Sequence, residues 1–115
     1  MGSGVAEAAT GTIDSLPPDW EVTRLAAVLR AHLPDLRARY GLDGMALFGS
    51  YVRNEQRPDS DLDVLVDFGR TPSLFDLVGL RDELTHLIGI PVDVVMRSTL
   101  RPRLARYVLR EAVAV

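Results

Sequence analysis

The sequence predicts a small mixed α/β (α+β) domain, helices packed on one β-sheet, and three features carry that prediction. Met45–Phe48, Asp61–Phe68 and Pro91–Met96 are short apolar runs with strand character. Between and around them, apolar residues recur at helical spacing, as at Leu25, Val28, Leu29 and Leu33. Gly and Pro punctuate the joints between the two kinds of segment.

Taken in order, Met1–Leu16 is rich in Gly, Ala, Ser and Thr without sustained periodicity, and reads as a flexible leader or expression remnant. Pro17-Pro18 marks the boundary, so the folded domain is expected over residues 17–115. A helix is expected from Asp19, as N-cap, with Glu21 in its first turn. Pro34 is placed at the opening of a second short helix that stops at Gly41. After the strand at Met45–Phe48, residues Ser50–Asn54 read as one or two helical turns and Glu55–Ser60 as a loop. The strand Asp61–Phe68 closes at Gly69. Ser73 and Asp76 have capping-box spacing and open a helix that ends at Gly89. Pro91–Met96 is the third strand. A final helix runs from Leu100 to about Ala112, with Leu104, Val108 and Ala112 at four-residue intervals.

At 115 residues the chain has room for one core. A hydrophobic fraction of 47% with 25% charged residues is ordinary for a soluble globular protein. The absence of cysteine excludes disulfides and thiolate metal sites and accords with a cytoplasmic location. No apolar stretch is long enough to span a bilayer and no secretory signal is apparent, so no membrane association is expected. All 13 basic residues are Arg, which excludes a P-loop or Schiff-base lysine. The net charge of −3 argues against a general nucleic-acid binder, and no direct nucleic-acid contact is expected.

The stretch Leu47–Phe68 concentrates the chemistry. Asp61, Asp63, Leu65 and Asp67 alternate with Leu62, Val64, Val66 and Phe68, which puts Asp61 and Asp63 on one face of a strand. Carboxylates at i and i+2 have Cα atoms roughly 6–7 Å apart. They can converge on two metal ions of the kind used in in-line phosphoryl chemistry. Gly49 lets a ligand approach the backbone at the preceding strand's end, and Ser50 begins a segment whose free N–H groups favour an anion. Arg53 is a candidate phosphate neutraliser and Ser60 a candidate nucleotide contact. Asp93, flanked by Val92 and Val94, should face a cation or the polar side of its strand, because burying a lone carboxylate is costly. Mg²⁺ relieves the repulsion among three facing aspartates while keeping waters and substrate phosphates in its shell. Asp67 is expected to be a solvated strand-end residue. An EF-hand beginning at Asp59 is excluded, since Val64 and Arg70 stand at its obligatory Gly and Glu positions. Arg103, Arg106 and Arg110 form a basic stripe on the last helix, most simply a solvated face. His32 and His86 read as surface or packing residues.

Gly49-Ser50, ten residues, then Asp61-x-Asp63 resembles the GS-x10-DxD signature of the DNA polymerase β-type nucleotidyltransferase superfamily. The small size resembles its minimal nucleotidyltransferase (MNT) branch, whose members act as antitoxins beside HEPN-domain ribonuclease toxins. The similarity spans roughly Leu25–Val115 and includes Pro91–Val95, which matches the strand carrying the third carboxylate. Asn54 departs from it where many relatives have Gly, and Val52 where Ala is common. The resemblance implies a polymerase β-like fold, Asp61, Asp63 and Asp93 as catalytic and metal-binding residues for two Mg²⁺ ions, and Gly49 and Ser50 as holders of the β/γ phosphates. It also implies ATP as donor, a tyrosine of a HEPN toxin as acceptor, and a hetero-oligomeric complex with that toxin. Two alternatives stay open at this level: a non-catalytic antitoxin that occludes its partner, and an enzyme acting on a small molecule.

Overall fold

The computed structural model describes residues 4–115. Among the described residues short 3-10 turns stand at Ile13–Ser15 and Arg97–Thr99, and the helices α1 (Val5–Ala8), α2 (Glu21–Tyr40), α3 (Leu74–Ile88) and α4 (Pro102–Glu111) cover one sheet. Its strands are β1 (Gly11–Thr12), β2 (Leu42–Phe48), β3 (Leu62–Phe68), β4 (Val92–Met96) and β5 (Val113–Ala114), in the spatial order β1-β5-β2-β3-β4. Strands β2 and β3 are antiparallel, whereas β3 and β4 are parallel and joined by α3 as a crossover. This is the mixed α/β architecture expected from the sequence.

Both faces of the sheet are covered. On one side Leu47, Leu62, Val64 and Val66 pack with Leu25 and Leu29 of α2 and Leu80 and Leu84 of α3 in the main core. On the other, Ala46 and Leu65 meet Val5 of α1, Val108 of α4 and Ala112 just beyond it in a smaller cluster. The strict alternation of β3 therefore divides two cores, and the aspartates lie beyond the edge of the smaller one.

Several sequence expectations are corrected. Residues 4–16 of the supposed leader are structured, with α1, β1 and a 3-10 turn at Ile13–Ser15, while residues 1–3 lie outside the described ones. Val5 is fully buried, Ile13 nearly so, and Gly11–Thr12 pair in parallel with Val113–Ala114. Their only strand partner is some hundred residues away, so no local pattern announces them. Asp67 is half-buried and accepts a hydrogen bond from the Val5 N–H, which ties α1 to β3. The two expected helices flanking Pro34 are one. Pro34 lies on the exposed side of α2, and Leu36 beyond it is buried, which carries the helix past the missing hydrogen bond. Asp19 does not cap it. Trp20 holds the N-cap position, and the entry is fixed by Thr23 Oγ1 donating to the Pro17 carbonyl at 2.6 Å. The C-terminal end adds β5, inserted between β1 and β2. The capping box of Ser73 and Asp76 and the left-handed Gly89 stop are both present, as expected for α3. His32 and His86 are exposed, as are Arg103, Arg106 and Arg110.

Candidate active site

The site begins where β2 ends. Phe48 pairs with Asp63 across the antiparallel ladder, so the chain leaves β2 at Gly49-Ser50 beside the start of β3. Gly49 has φ +85° and is buried, and a Cβ there would overlap the Asp63 carboxylate. Only glycine satisfies both the backbone and the contact. The expected helix at Ser50–Asn54 is instead a sequence of tight turns. Val52 and Arg53 N–H groups donate to the Gly49 carbonyl, and Glu55 N–H donates to that of Ser50 at 2.9 Å. Asn54 takes φ +58°, a left-handed conformation that Asn tolerates better than most residues and Gly adopts freely. The substitution of Asn for Gly noted in the sequence is thus conformationally consistent.

Asp61, Asp63 and Asp93 are brought to one end of the sheet. Asp63 and Asp93 are register partners across the parallel β3–β4 pair, and adjacent parallel strands place them on one face. Asp61 precedes β3 by one residue and, at i−2 from Asp63, shares that face. Asp61 and Asp93 are exposed and Asp63 half-buried. The Asp63 carboxyl is pushed up to about 6, first by burial and then by the negative charges of Asp93, Asp61 and Glu111, against the opposing pull of Arg53.

Arg53 and Ser60 stand elsewhere in the local network. Arg53 is engaged by Glu55 at 2.9 Å and by Glu111 at 2.8 Å. Ser60 Oγ accepts the Arg57 N–H at 2.8 Å and closes the loop before β3. Reading the sequence alone missed Glu111. Its carboxylate, at the end of α4, accepts the Gly49 N–H at 2.7 Å. That position is set by β5 returning to pair Val113 with Leu47, and the apolar run Ala112–Val115 is its only trace in the sequence.

The donor set suits a hard divalent cation. Clustered carboxylates, one with its pKa raised by burial and then by its negative neighbours, are stabilised by such a charge. Among the described residues no three His, Cys, Asp or Glu side chains close around a single point. The carboxylates would hold Mg²⁺ jointly with water and phosphate oxygens, as that ion prefers. Beside Asp93, a groove of about 430 Å³ is lined by Leu74, Leu77, Val78, Val95 and Met96. A second cleft of about 480 Å³ lies at the far end of β3, around Asp67 and Arg70, away from the three aspartates.

A glycine turn set against register-paired carboxylates on a small mixed sheet is an arrangement suited to phosphoryl-group chemistry. The nucleotidyltransferase domain family matches residues 29–115. A protein adenylyltransferase, MntA, of Thermococcus cleftensis is 46% identical over 91 residues, which are 79% of this chain and 92% of that protein. A solved minimal nucleotidyltransferase superposes with TM-score 0.66 at 39% identity, covering 92% of this chain and 98% of the other. A toxin–antitoxin crystal structure with AMP-PNP superposes with TM-score 0.54 at 25% identity, over 64% of this chain and 61% of the other. The chain belongs to the nucleotidyltransferase family, in the minimal branch that includes MntA-like protein adenylyltransferases.

Proposed function

We propose that the protein transfers AMP from ATP to a tyrosine hydroxyl of a partner HEPN-domain ribonuclease and thereby silences it as an antitoxin. The carrying observation is the Asp63–Asp93 register pair set directly against Gly49. MntA-like relatives named as protein adenylyltransferases and the toxin–antitoxin neighbour with an ATP analogue support this reading. The resemblance to the MNT antitoxins supports the HEPN partner and the tyrosine.

In this reading Gly49 and Ser50 hold the β/γ phosphates, with the Gly49 N–H, now bonded to Glu111, as a backbone donor of the turn. Asp61, Asp63 and Asp93 would hold Mg²⁺, which when bound would supply charge neutralisation at the phosphate oxygens. The acceptor oxygen forms a bond to the α-phosphorus, pyrophosphate leaves with the bonding pair, and the hydroxyl proton passes to a base. Exposed Asp93, which lines the groove with Leu74 and Val78, receives that proton in this reading. Arg53 contributes charge once its carboxylate partners are exchanged for phosphate. Ser60 shapes the entry to β3 and contributes a nucleotide contact only on rearrangement of its bond to Arg57.

Label from α-labelled ATP and Mg²⁺ is expected on the partner protein, none from γ-labelled ATP, with loss of transfer in Asp61→Asn/Asp63→Asn. Retention of both transfer and neutralisation in that double mutant would overturn the reading. Leu74 and Phe75 are 73% and 89% exposed, which favours one rival: occlusion of a partner without chemistry. Neutralisation that survives the double mutant while label transfer is absent in wild type selects it.

A further inference from the structure

Glu111 holds the donors that a nucleotide phosphate needs. Its Oε2 accepts the Gly49 N–H at 2.7 Å, and its two oxygens accept Arg53 Nη1 at 2.8 and 3.1 Å. The side chain is 21% exposed and lies on the same side of the sheet as Asp63, whose carboxyl feels its charge. An added carboxylate next to a cluster of aspartates is electrostatically unfavourable unless its own hydrogen bonds outweigh the repulsion. Here they are a charge-assisted backbone bond and an arginine pair, the same two donor types that recognise phosphate.

We infer that Glu111 is an intramolecular competitor for the phosphate-binding turn, a resident anion at the end of α4 that the nucleotide's phosphate must displace. The inference rests on the nucleotidyltransferase reading of Gly49. One backbone N–H directed at one oxygen cannot serve Glu111 and a phosphate together, and the Arg53 Nη1 that binds both Glu111 oxygens is taken in the same way. Displacement frees the carboxylate at the C-terminal end of α4, where Ala112 leads directly into β5. Nucleotide occupancy is thereby coupled to the junction of the last helix with the sheet. Glu111 acts through Gly49 and Arg53 and is a positioning residue, not a catalytic one.

The test is binding of Mg²⁺–AMP-PNP by titration calorimetry to wild type and to Glu111→Gln, with thermal melts as a folding check. Removing the charge leaves a neutral competitor, so Glu111→Gln should bind about tenfold tighter, the difference between a charge-assisted and a neutral hydrogen bond. Hydrogen exchange at residues 111–114 of wild type should quicken when the analogue binds. Equal or weaker binding by Glu111→Gln overturns the inference, since a purely structural or metal-ligating glutamate gives that result. Should Glu111→Gln fail to fold, Glu111→Asp, which keeps the charge but shortens the reach to Gly49, is read by the same criterion. Equal affinities alongside intact label transfer discard the competitor alone, whereas no binding of any NTP by either protein discards the nucleotidyltransferase reading with it.

Discussion

Asp63 carries the most consequential charge in the molecule. Its ordinary carboxyl value of 3.8 rises to about 6 in the fold. The native state therefore binds more protons than the unfolded chain between those values, and metal-free stability falls as pH rises through that window. Above pH 6 the penalty is fully present. It is expected to be on the order of 1–2 kcal/mol once solvent screening of a half-exposed group is allowed for. Urea denaturation in EDTA should find Asp63→Asn more stable than wild type at pH 7.5 and equal to it near pH 4. Mg²⁺ should narrow the gap at pH 7.5 by stabilising only the wild type. A wild type that is the more stable at pH 7.5 without metal would contradict this. At this scale the sequence was informative. The spacing of Gly49-Ser50 and Asp61-x-Asp63 located the turn and two carboxylates, because contacts near in sequence follow from strand periodicity. Glu111 was hidden because its contact with Gly49 depends on a return of the chain across the sheet, which no local pattern encodes.

Among the elements, α3 is the one whose ends were legible. Ser73 Oγ accepts the Asp76 N–H at 3.1 Å and Asp76 Oδ2 accepts the Ser73 N–H at 2.9 Å. Ser73→Ala should lower stability by about 1 kcal/mol, measured by urea denaturation, with Ser73→Asp close to wild type. Because α3 connects β3 to β4, fraying of its first turn also loosens Leu74 and Leu77 at the groove that ends near Asp93. Helix α2 was misread for a definable reason. A proline inside an apolar repeat signals a break unless tertiary burial continues beyond it, and here Leu36 supplies that burial. Arg39 and Tyr40, in its last turn, both bond Glu83 of α3, which fixes the two helices side by side over the main core. Ser50–Asn54 was overread as helix because its turns share the helical hydrogen-bonding range without propagating it.

For the whole molecule the decisive feature is that the N-terminal segment belongs to the sheet. No helix among the described residues is long and apolar enough to cross a membrane, and the apolar surface is spent instead on two cores. Deleting residues 1–12 removes Val5 from its contacts with Ala46, Leu65 and Val108 and leaves β5 without its outer partner. The deletion should lower unfolding free energy by on the order of 2–3 kcal/mol, the burial of one valine with added loss at the strand edge. An unchanged denaturation midpoint would restore the flexible-leader reading. The five-stranded order has a temporal meaning as well. Strand β5, the last of the described elements to be synthesised, lies between β1 and β2, and β1 pairs with no other strand. During translation the N-terminal strand must wait, unpaired, for residues 113–114 to emerge. Completion of the sheet is therefore held until β5 emerges, and β2–β3–β4 with its aspartates is the part free to assemble first.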